Sequence, residues 1–383
     1  MKRSLLSLAF GTFALGVAEF GMMGILGDVA RGVDVDIVKG GHLISAYSLG
    51  VAVGAPMLVL LRRMPLKRLM LLLAAVIALG NAFAAISPGY AALLCARFIS
   101  GLPHGAYFGA GAIVCSRLAD PGKGASAVAV MVGGMTVANL IGVPFATWIC
   151  AATSWRVAFA AVSLIGLLTF AGVWGWMPKL APLPDTGLRG QFRFLRRGAP
   201  WLIYGGVFFG QASVYCWLSY VEPTMTQVAR FPSAAMTWIM MLCGLGMVVG
   251  NIVAGRLADR HRPSAVCCGI ALTLAVVMTG IYFAAPSRFL SLPLAFVACA
   301  GLFGLGGPLQ YLIVRFAKGG EMLGGAGIQI SFNVSNAMSA AVGGLCINAG
   351  LGLASPALAG VPFALVGALC LYLLNRRYAS EGA

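Results

Sequence analysis

Charge is what this sequence has least of. Only 9% of its 383 residues are Asp, Glu, Lys or Arg, whereas a soluble domain carries roughly a quarter. Hydrophobic residues make up 60% of the chain. A chain with so little polar surface cannot cover a globular core in water, which excludes an ordinary soluble protein. A membrane β-barrel is excluded as well, because the apolar residues do not alternate with period two.

The patterns of several catalytic and binding classes are also missing. There is no Walker-type phosphate loop, no Gly-x-Ser-x-Gly and no His-Glu-x-x-His, so neither ATP use nor common hydrolase chemistry is indicated. The ten cysteines form no Cys-x-x-Cys or Cys/His cluster, and the adjacent Cys267 and Cys268 suit neither a disulfide nor a zinc site. The sequence also lacks a basic face with interleaved aromatic residues, which is the pattern that would indicate nucleic-acid binding. We therefore expect no enzyme, metal, cofactor or nucleic-acid partner.

Long apolar runs are present from end to end. Each holds about 20 residues, which is enough to cross roughly 30 Å of hydrocarbon as a helix. Twelve such runs lie at 5–27, 40–61, 66–86, 90–115, 124–150, 156–177, 200–221, 234–255, 264–285, 289–314, 322–349 and 355–375. The sequence therefore predicts an all-α integral membrane protein with twelve transmembrane helices.

The net charge of +16 is distributed unevenly over the loops. If the odd-numbered loops face outward, only five of the 26 Lys and Arg residues lie there, at Arg31, Lys39, Arg156, Arg230 and Arg288. Twenty lie in the two tails and the even-numbered loops. Cytoplasmic loops are enriched in Lys and Arg, so this bias predicts a multi-pass inner-membrane protein with both termini in the cytoplasm. The basic residues are also expected to contact membrane lipids.

The runs fall into two groups of six. The longest loop, 178–199, contains three prolines and five basic residues and separates a first bundle, 1–177, from a second, 200–383. Both bundles carry Gly-x-x-x-Gly late in their second run, at Gly50 and Gly54 and at Gly246 and Gly250. Small residues four apart allow two helix backbones to approach closely. A six-plus-six repeat is typical of transporters whose substrate site lies at the midplane between the halves.

Several motifs resemble those of one transporter family. "GNIVAGRLADRHRP" (250–263) resembles a cytoplasmic loop motif of the major facilitator superfamily, and "RFISGLPHGAYFG" (97–109) resembles the fourth-helix motif of its proton-coupled members. "GGMTVANLIGVPFATWI" (133–149) resembles the fifth-helix motif of its antiporters. With "AEFGMMG" and "SWRVAF", they are similar to the drug and sugar efflux branch typified by arabinose-efflux permeases. The resemblance implies two six-helix bundles, alternating access and a monomer.

The loop motif implies a cytoplasmic gate at four positions in the second bundle. These are Gly250, Gly255, Asp259 and Arg260. Asp259 can cap a neighbouring helix end or pair with an arginine, and the alternative is a solvated turn. The first bundle departs from the family pattern, because Arg63 stands where the equivalent acid is expected.

Two charges lie deep inside apolar runs. Glu19 is about 12 Å from the outer end of the first run, and Arg97 is about 10 Å from the same face in the fourth run. A bonded or water-bridged pair would offset the cost of burying both charges. Two interpretations remain open. Either Glu19 carries the coupling proton and Arg97 tunes the affinity of its carboxylate for that proton, or the two residues form a fixed structural ion pair. His104, two helical turns beyond Arg97, is either a proton relay or a satisfied interior histidine.

Polar and aromatic residues at mid-span are the candidates for a substrate cavity. They are Phe20, Met23, Tyr107, Phe108, Asn139, Gln211, Tyr215, Trp217, Asn333 and Asn336. Such a mixture suits an amphiphilic organic molecule. Each residue taken alone is better explained by helix packing, but some of the set are expected to line the cavity. The sequence thus predicts a proton-coupled exporter, an antiporter, of a small molecule such as a drug, sugar or nucleoside. An uncoupled facilitator and a non-transporting sensor or channel are the alternatives.

Overall fold

The computed structural model describes residues 2–35, 37–61, 63–182, 187–232 and 235–378, and no strand occurs within these ranges. The long helices are α1 (Lys2–Gly32), α2 (Ile37–Met57), α3 (Leu66–Ile86), α4 (Tyr90–Leu118), α5 (Gly124–Ala152), α6 (Trp155–Trp176), α7 (Gly198–Leu218), α8 (Met236–Arg260), α9 (Pro263–Ala284), α10 (Arg288–Phe316), α11 (Glu321–Asn348) and α12 (Ser355–Arg377). Short helical turns lie at Leu58–Leu61, Gly187–Gln191, Arg193–Arg196, Val221–Pro223 and Thr224–Val228.

Each predicted apolar run coincides with one long helix. In the described part of the chain, ten helices are long and apolar enough to cross a membrane. The other two are α2, in which the apolar segment is His42–Gly54, and α7, which has 21 residues. The all-helical membrane class is therefore confirmed, and the count of twelve spans stays a prediction.

Two of the spans are irregular for a local chemical reason. A π-helical turn, Ala138–Gly142, interrupts α5 just before Pro144. In α10 the regular helix ends at Gly304 and resumes at Gly306, shortly before Pro308. Proline has no N–H and its ring crowds the carbonyl four residues earlier, so the preceding turn widens or breaks.

The repeated glycine motif brings pairs of helices into backbone contact. A Cβ atom at Gly54 of α2 would overlap the carbonyl oxygen of Leu102 on α4. A Cβ atom at Gly250 of α8 would overlap the carbonyl oxygen of Ala300 on α10 in the same way. The interpretation of this repeat as a close-packing motif is confirmed in both halves of the sequence.

The helices form two compact units. The first contains Met1–Pro121, Val130–Phe194 and Ala317–Ile330, and the second contains Gly122–Ala129, Leu195–Phe316 and Ser331–Ala383. Helices α5 and α11 therefore each contribute residues to both units. The domains expected from the sequence, 1–177 and 200–383 joined by 178–199, stay a prediction.

An apolar cluster in the first unit packs beside the two buried charges. It draws side chains from α1 to α6: Met22, Ile25, Val29, Leu43, Ala84, Ala85, Leu93, Ala96, Cys150, Trp155, Ala158 and Phe159. Their burial fixes the rotation of α1, α2 and α4, and hence the direction in which the polar side chains of these helices point.

Candidate functional site

Glu19 lies on a segment of α1 that is packed on several sides. Its side chain is buried, with 5% of the residue exposed. Helix α1 contacts α2, α4, α5 and α6 within the first unit. The contact with α5 depends on the fifth-helix motif, because a Cβ atom at Gly134 would overlap the carbonyl oxygen of Ala9. The glycine motif of α5 therefore supports the helix that carries the carboxyl group.

Arg97 on α4 is fully buried and is held by the backbones of two other helices. Its Nη1 donates to the carbonyl oxygen of Ala18 on α1 at 2.8 Å, and its Nε donates to that of Leu43 on α2 at 3.3 Å. The guanidinium also lies 4.5 Å from the centre of the Tyr47 ring and 5.7 Å from that of Phe159. Backbone oxygens and aromatic faces thus stabilise this charge inside the span.

The two buried charges are close but do not form an ion pair. Arg97 bonds the carbonyl of Ala18, the residue before Glu19, and the two charges interact electrostatically. The two side chains thus lie near one another, and their joint role in proton coupling stays a prediction. No salt bridge within 4.0 Å joins them, although both side chains are described, so the directly bonded pair is not the arrangement found. Oε2 of Glu19 has no hydrogen-bond partner among the described residues.

His104 is a titratable group close to the Glu19 carboxyl. Its Nδ1 lies 3.8 Å from Oε2 of Glu19 and 2.9 Å from the hydroxyl of Tyr47. The imidazole stacks on Phe108, with ring centres 5.3 Å apart and planes inclined by 15°. The hydroxyl of Tyr47 also donates to the carbonyl of Leu15 on α1 at 3.4 Å. The sequence predicts that His104 and Arg97 lie on the same face of α4. Their contacts with Tyr47 are consistent with that prediction and place both in one polar cluster.

Two members of this cluster were not found from the sequence. Tyr47 on α2 is 1% exposed and contacts both Arg97 and His104. Gln329 on α11 is 7% exposed and lies beside His104 within the first unit. A lone tyrosine or glutamine in an apolar span gives only a weak signal, because packing and interhelical hydrogen bonds explain most of them.

The cluster has the composition needed to hold a proton. Glu19 and Arg97 are the only Asp, Glu, Lys or Arg side chains among the buried residues of the described chain. A carboxyl group can accept or release a proton, while the guanidinium keeps its charge. Because no salt bridge is broken when Glu19 gains a proton, its protonation can change without dismantling the contacts of Arg97.

Four of the predicted cavity residues lie in the first unit: Phe20, Tyr107, Phe108 and Asn139. Tyr107 and Phe108 are buried, and the Tyr107 hydroxyl donates to the carbonyl of Leu8 on α1 at 3.3 Å. Phe20 and Asn139 are half-buried, and Asn139 donates to the carbonyl of Met135 within its own helix. The side chain of Met23 lies outside the described part of the structure.

The remaining five cavity candidates lie in the second unit: Gln211, Tyr215, Trp217, Asn333 and Asn336. The three residues of α7 are buried, whereas the two asparagines of α11 are half-buried. The ring of Tyr215 meets Phe332 edge-on, with centres 5.5 Å apart. Oε1 of Gln211 and Nε1 of Trp217 have no hydrogen-bond partner among the described residues, which is unusual for buried polar atoms.

The predicted gate motif lies at the end of α8, where Asp259 caps another helix. Oδ1 of Asp259 accepts a hydrogen bond from the amide of Ser126 at 3.2 Å, and Oδ2 accepts one from its hydroxyl. Ser126 is in the first turn of α5, so the carboxylate faces the positive end of that helix. Nδ2 of Asn251 adds a bond to the carbonyl of Ala129 at 2.7 Å, a contact that sequence reasoning missed. All these residues belong to the second unit.

The other gate positions serve packing or face outward. Gly250 allows the close contact with α10 described above, and a Cβ atom at Gly255 would lie 2.7 Å from the side chain of Ala129. Arg260 is exposed. The alternative of a solvated turn does not describe Asp259, because both of its carboxylate oxygens are bonded to α5.

Comparison with known sequences identifies relatives over nearly the whole chain. The family model described as Major Facilitator Superfamily matches residues 8–328. The chain is 45% identical to "Putative transporter AraJ" of Escherichia coli (strain K12), over 97% of this chain and 95% of that protein. It is 35% identical to "Inner membrane transport protein YdhP" of the same strain, over 97% and 96% of the two chains.

Comparison with solved structures gives the same fold. FucP, a Major Facilitator Superfamily transporter solved in the outward conformation, matches with a TM-score of 0.79 at 15% identity, over 97% of this chain and 98% of that one. The proton:xylose symporter XylE matches with a TM-score of 0.73 at 14% identity, over 98% and 95%. At these identities the likeness establishes the architecture alone.

Proposed function

The chain belongs to the Major Facilitator Superfamily, and we propose that it is a proton-coupled exporter of a small organic molecule. Its relatives are transporters rather than enzymes. The observation that carries the proposal is the buried carboxyl of Glu19, with Oε2 unpartnered among the described residues and 3.8 Å from His104. The name of YdhP supports an inner-membrane location.

Glu19 carries the exchangeable proton in this proposal. A purely structural glutamate buried in a span would be expected to bond its fixed counter-charge, yet Arg97 donates to backbone oxygens instead. Intramembrane ionisable groups commonly mark ion or proton pathways. His104 and Tyr47 form a second polar path beside the carboxyl, and Arg97 supplies a constant positive field.

Export rather than uptake is supported by the fifth-helix motif. Residues 133–149 resemble the motif of antiporters, and Gly134 within it packs against the backbone of the helix that bears Glu19. Movement of α5 during a transport cycle would therefore act directly on α1. The substrate is an amphiphilic molecule, such as a drug, sugar or nucleoside, contacted by aromatic and amide side chains of the helices. The protein works as a monomer by alternating access, with protons as its coupling partner.

The proposal is tested by comparing two neutralised carboxylates on the same helix. A substrate is first identified by thermal-shift screening of the purified protein. Its flux is then measured in inverted membrane vesicles with an imposed pH gradient, for wild type, Glu19→Gln and Asp28→Asn. Asp28 is the matched control, because it lies on α1 but is only half-buried and is paired with Arg31. We expect Glu19→Gln to lose gradient-driven accumulation while keeping exchange of labelled for unlabelled substrate, and Asp28→Asn to behave as wild type.

The alternatives give different results in the same vesicles. An uncoupled facilitator would equilibrate substrate without any response to the pH gradient. A channel would show no counterflow, and a non-transporting sensor would bind substrate without flux. Wild-type pH dependence in Glu19→Gln would make the carboxyl group structural and would refute the assignment.

A further inference from the structure

A basic cleft lies where the end of α8 meets the start of α5. It has a volume of about 680 Å³ and belongs entirely to the second unit. Three cations, one carboxylate and two apolar residues form most of its wall: Lys123, Arg256, Arg260, Asp259, Val253 and Leu257. None of these residues belongs to the Glu19 cluster, so the cleft requires a separate explanation.

The charge balance of the cleft favours an anion. The carboxylate of Asp259 is already bonded at both oxygens by Ser126 and opposes the positive end of α5. Arg256 and Arg260 are exposed and form no hydrogen bond or ion pair with any residue in the described ranges. Two guanidinium groups one helical turn apart, beside Lys123, can bind the oxygens of a phosphodiester by charge-assisted hydrogen bonds.

The apolar surface below the cleft indicates where this anion comes from. Val249 and Val253 are 38% and 48% exposed on α8, and they lie on the same face of the helix as Arg256 and Arg260. The exposed face of α8 is therefore apolar within the span and basic at the end of the helix. The positive-inside bias predicts that this end of α8 lies at the cytoplasmic surface, where anionic lipids attract basic side chains.

We propose that this cleft binds the headgroup of an anionic phospholipid, with an acyl chain along the apolar face of α8. The phosphodiester lies between Arg256 and Arg260 on one side and Lys123 on the other. A headgroup bound in this way bridges the same two helix ends that Asp259 and Ser126 join, so it stabilises the α5–α8 contact. The inference requires neither transport nor proton coupling.

The test measures lipid retention by the purified full-length protein. Delipidated protein is titrated with phosphatidylglycerol or phosphatidylcholine, and bound lipid is counted by native mass spectrometry together with the unfolding temperature. We expect selective binding of phosphatidylglycerol, weakened about fivefold by Arg256→Gln and about 25-fold when Arg260→Gln is added. Arg376→Gln is the matched control, because Arg376 is an exposed arginine near the end of α12 that does not line the cleft.

Other outcomes would overturn the proposal. Equal loss in Arg376→Gln would mean that overall surface charge attracts the lipid. Stabilisation by inorganic phosphate at similar concentrations would identify a soluble anion. Phosphatidylethanolamine carries the same phosphodiester together with an ammonium group, so its equal binding would mean that the cleft does not select a headgroup with net negative charge. If the double variant does not fold, the single variants and Arg256→Lys decide the matter, because Arg256→Lys keeps the charge and should retain most of the binding.

Discussion

At the scale of single residues, the arginine that is anchored by the backbone is distinct from the carboxyl group that is proposed to bind the proton. Arg97 is anchored by carbonyl oxygens of α1 and α2 and by two aromatic rings. Glu19, beside it, keeps one oxygen without a partner among the described residues. A group that must exchange a proton benefits from this separation, because a strong ion pair would hold it in one charge state.

Tyr47 offers a test of whether the imidazole is part of the coupling path. Tyr47→Phe removes the hydroxyl 2.9 Å from Nδ1 of His104 but keeps the ring beneath Arg97. We expect a loss of about 1 kcal/mol in unfolding free energy and a displaced pH profile of substrate flux. Tyr107→Phe is the control, because its hydroxyl bonds the carbonyl of Leu8 instead. It should lower stability without moving the pH profile, and identical profiles for both variants would exclude a role for Tyr47 in coupling.

At the scale of helices, close backbone contact supplies much of the packing. Gly54 and Gly250 occupy matching positions in the two halves of the sequence and each meets a carbonyl oxygen of a neighbouring helix. In lipid there is little hydrophobic driving force between helices, so these close contacts carry an unusual share of the stability.

A matched pair of glycines tests this packing. Gly250→Val forces a side chain into the backbone of α10, and we expect it to lower the unfolding free energy by about 3 kcal/mol. Gly269→Val is the control, because no heavy atom lies within 4 Å of a Cβ atom at Gly269 on the exposed side of α9. It should change stability by less than about 0.5 kcal/mol. Thermal unfolding in detergent checks both, and similar losses would mean that valine itself, rather than the contact, is responsible.

The positions of the long helices were predictable from the sequence, and their full lengths were not. Apolar runs define the part of a helix that lies in hydrocarbon, so all twelve helices were located to within a few residues. Helix α1 continues past position 27 to Gly32 and α8 past 255 to Arg260. These extensions carry charged residues that remain helical in water, such as Asp28 and Arg31, which pair one turn apart.

The polar cluster was predictable only where an ionisable side chain made a residue conspicuous. Glu19 and Arg97 stand out because a buried charge is costly, and they were expected to lie together. Tyr47 and Gln329 carry no charge, and their contact with His104 depends on how α2 and α11 are rotated about their axes. That rotation is set by the packing of many apolar side chains, which the sequence alone does not specify.

At the scale of the whole molecule, the basic loops predict which ends of the helices face the cytoplasm. The prediction is tested by single cysteines in a cysteine-free background, at Arg31 beside the first loop and at Arg189 in the 178–199 loop. Both positions are exposed, whereas Gln191 would be a poor reporter because it is only 4% exposed. In intact cells, an impermeant thiol reagent should label the cysteine at position 31 and not that at 189. The reverse pattern would place the termini outside.

The α5–α8 contact allows a test of alternating access. In the proposed cycle the bond between Ser126 and Asp259 breaks and re-forms, because one cytoplasmic gate must open. Bridging Ser126→Cys and Asp259→Cys with a short bifunctional thiol reagent should therefore stop turnover, and cleavage of the bridge should restore it. Because the double variant also lacks the carboxylate of Asp259, its flux before bridging is the reference. Normal flux through fully bridged protein would contradict the cycle.

The attachment of Arg97 to main-chain oxygens also has a consequence for genetics. Every amino acid supplies the same carbonyl group, so no codon change at Ala18 or Leu43 deletes an acceptor or creates a better one. A strain selected for recovery after loss of Arg97 therefore cannot regain the missing bonds at either partner position. Its revertants should restore arginine at codon 97. No compensating allele at codon 18 or codon 43 should occur among the revertants that are sequenced.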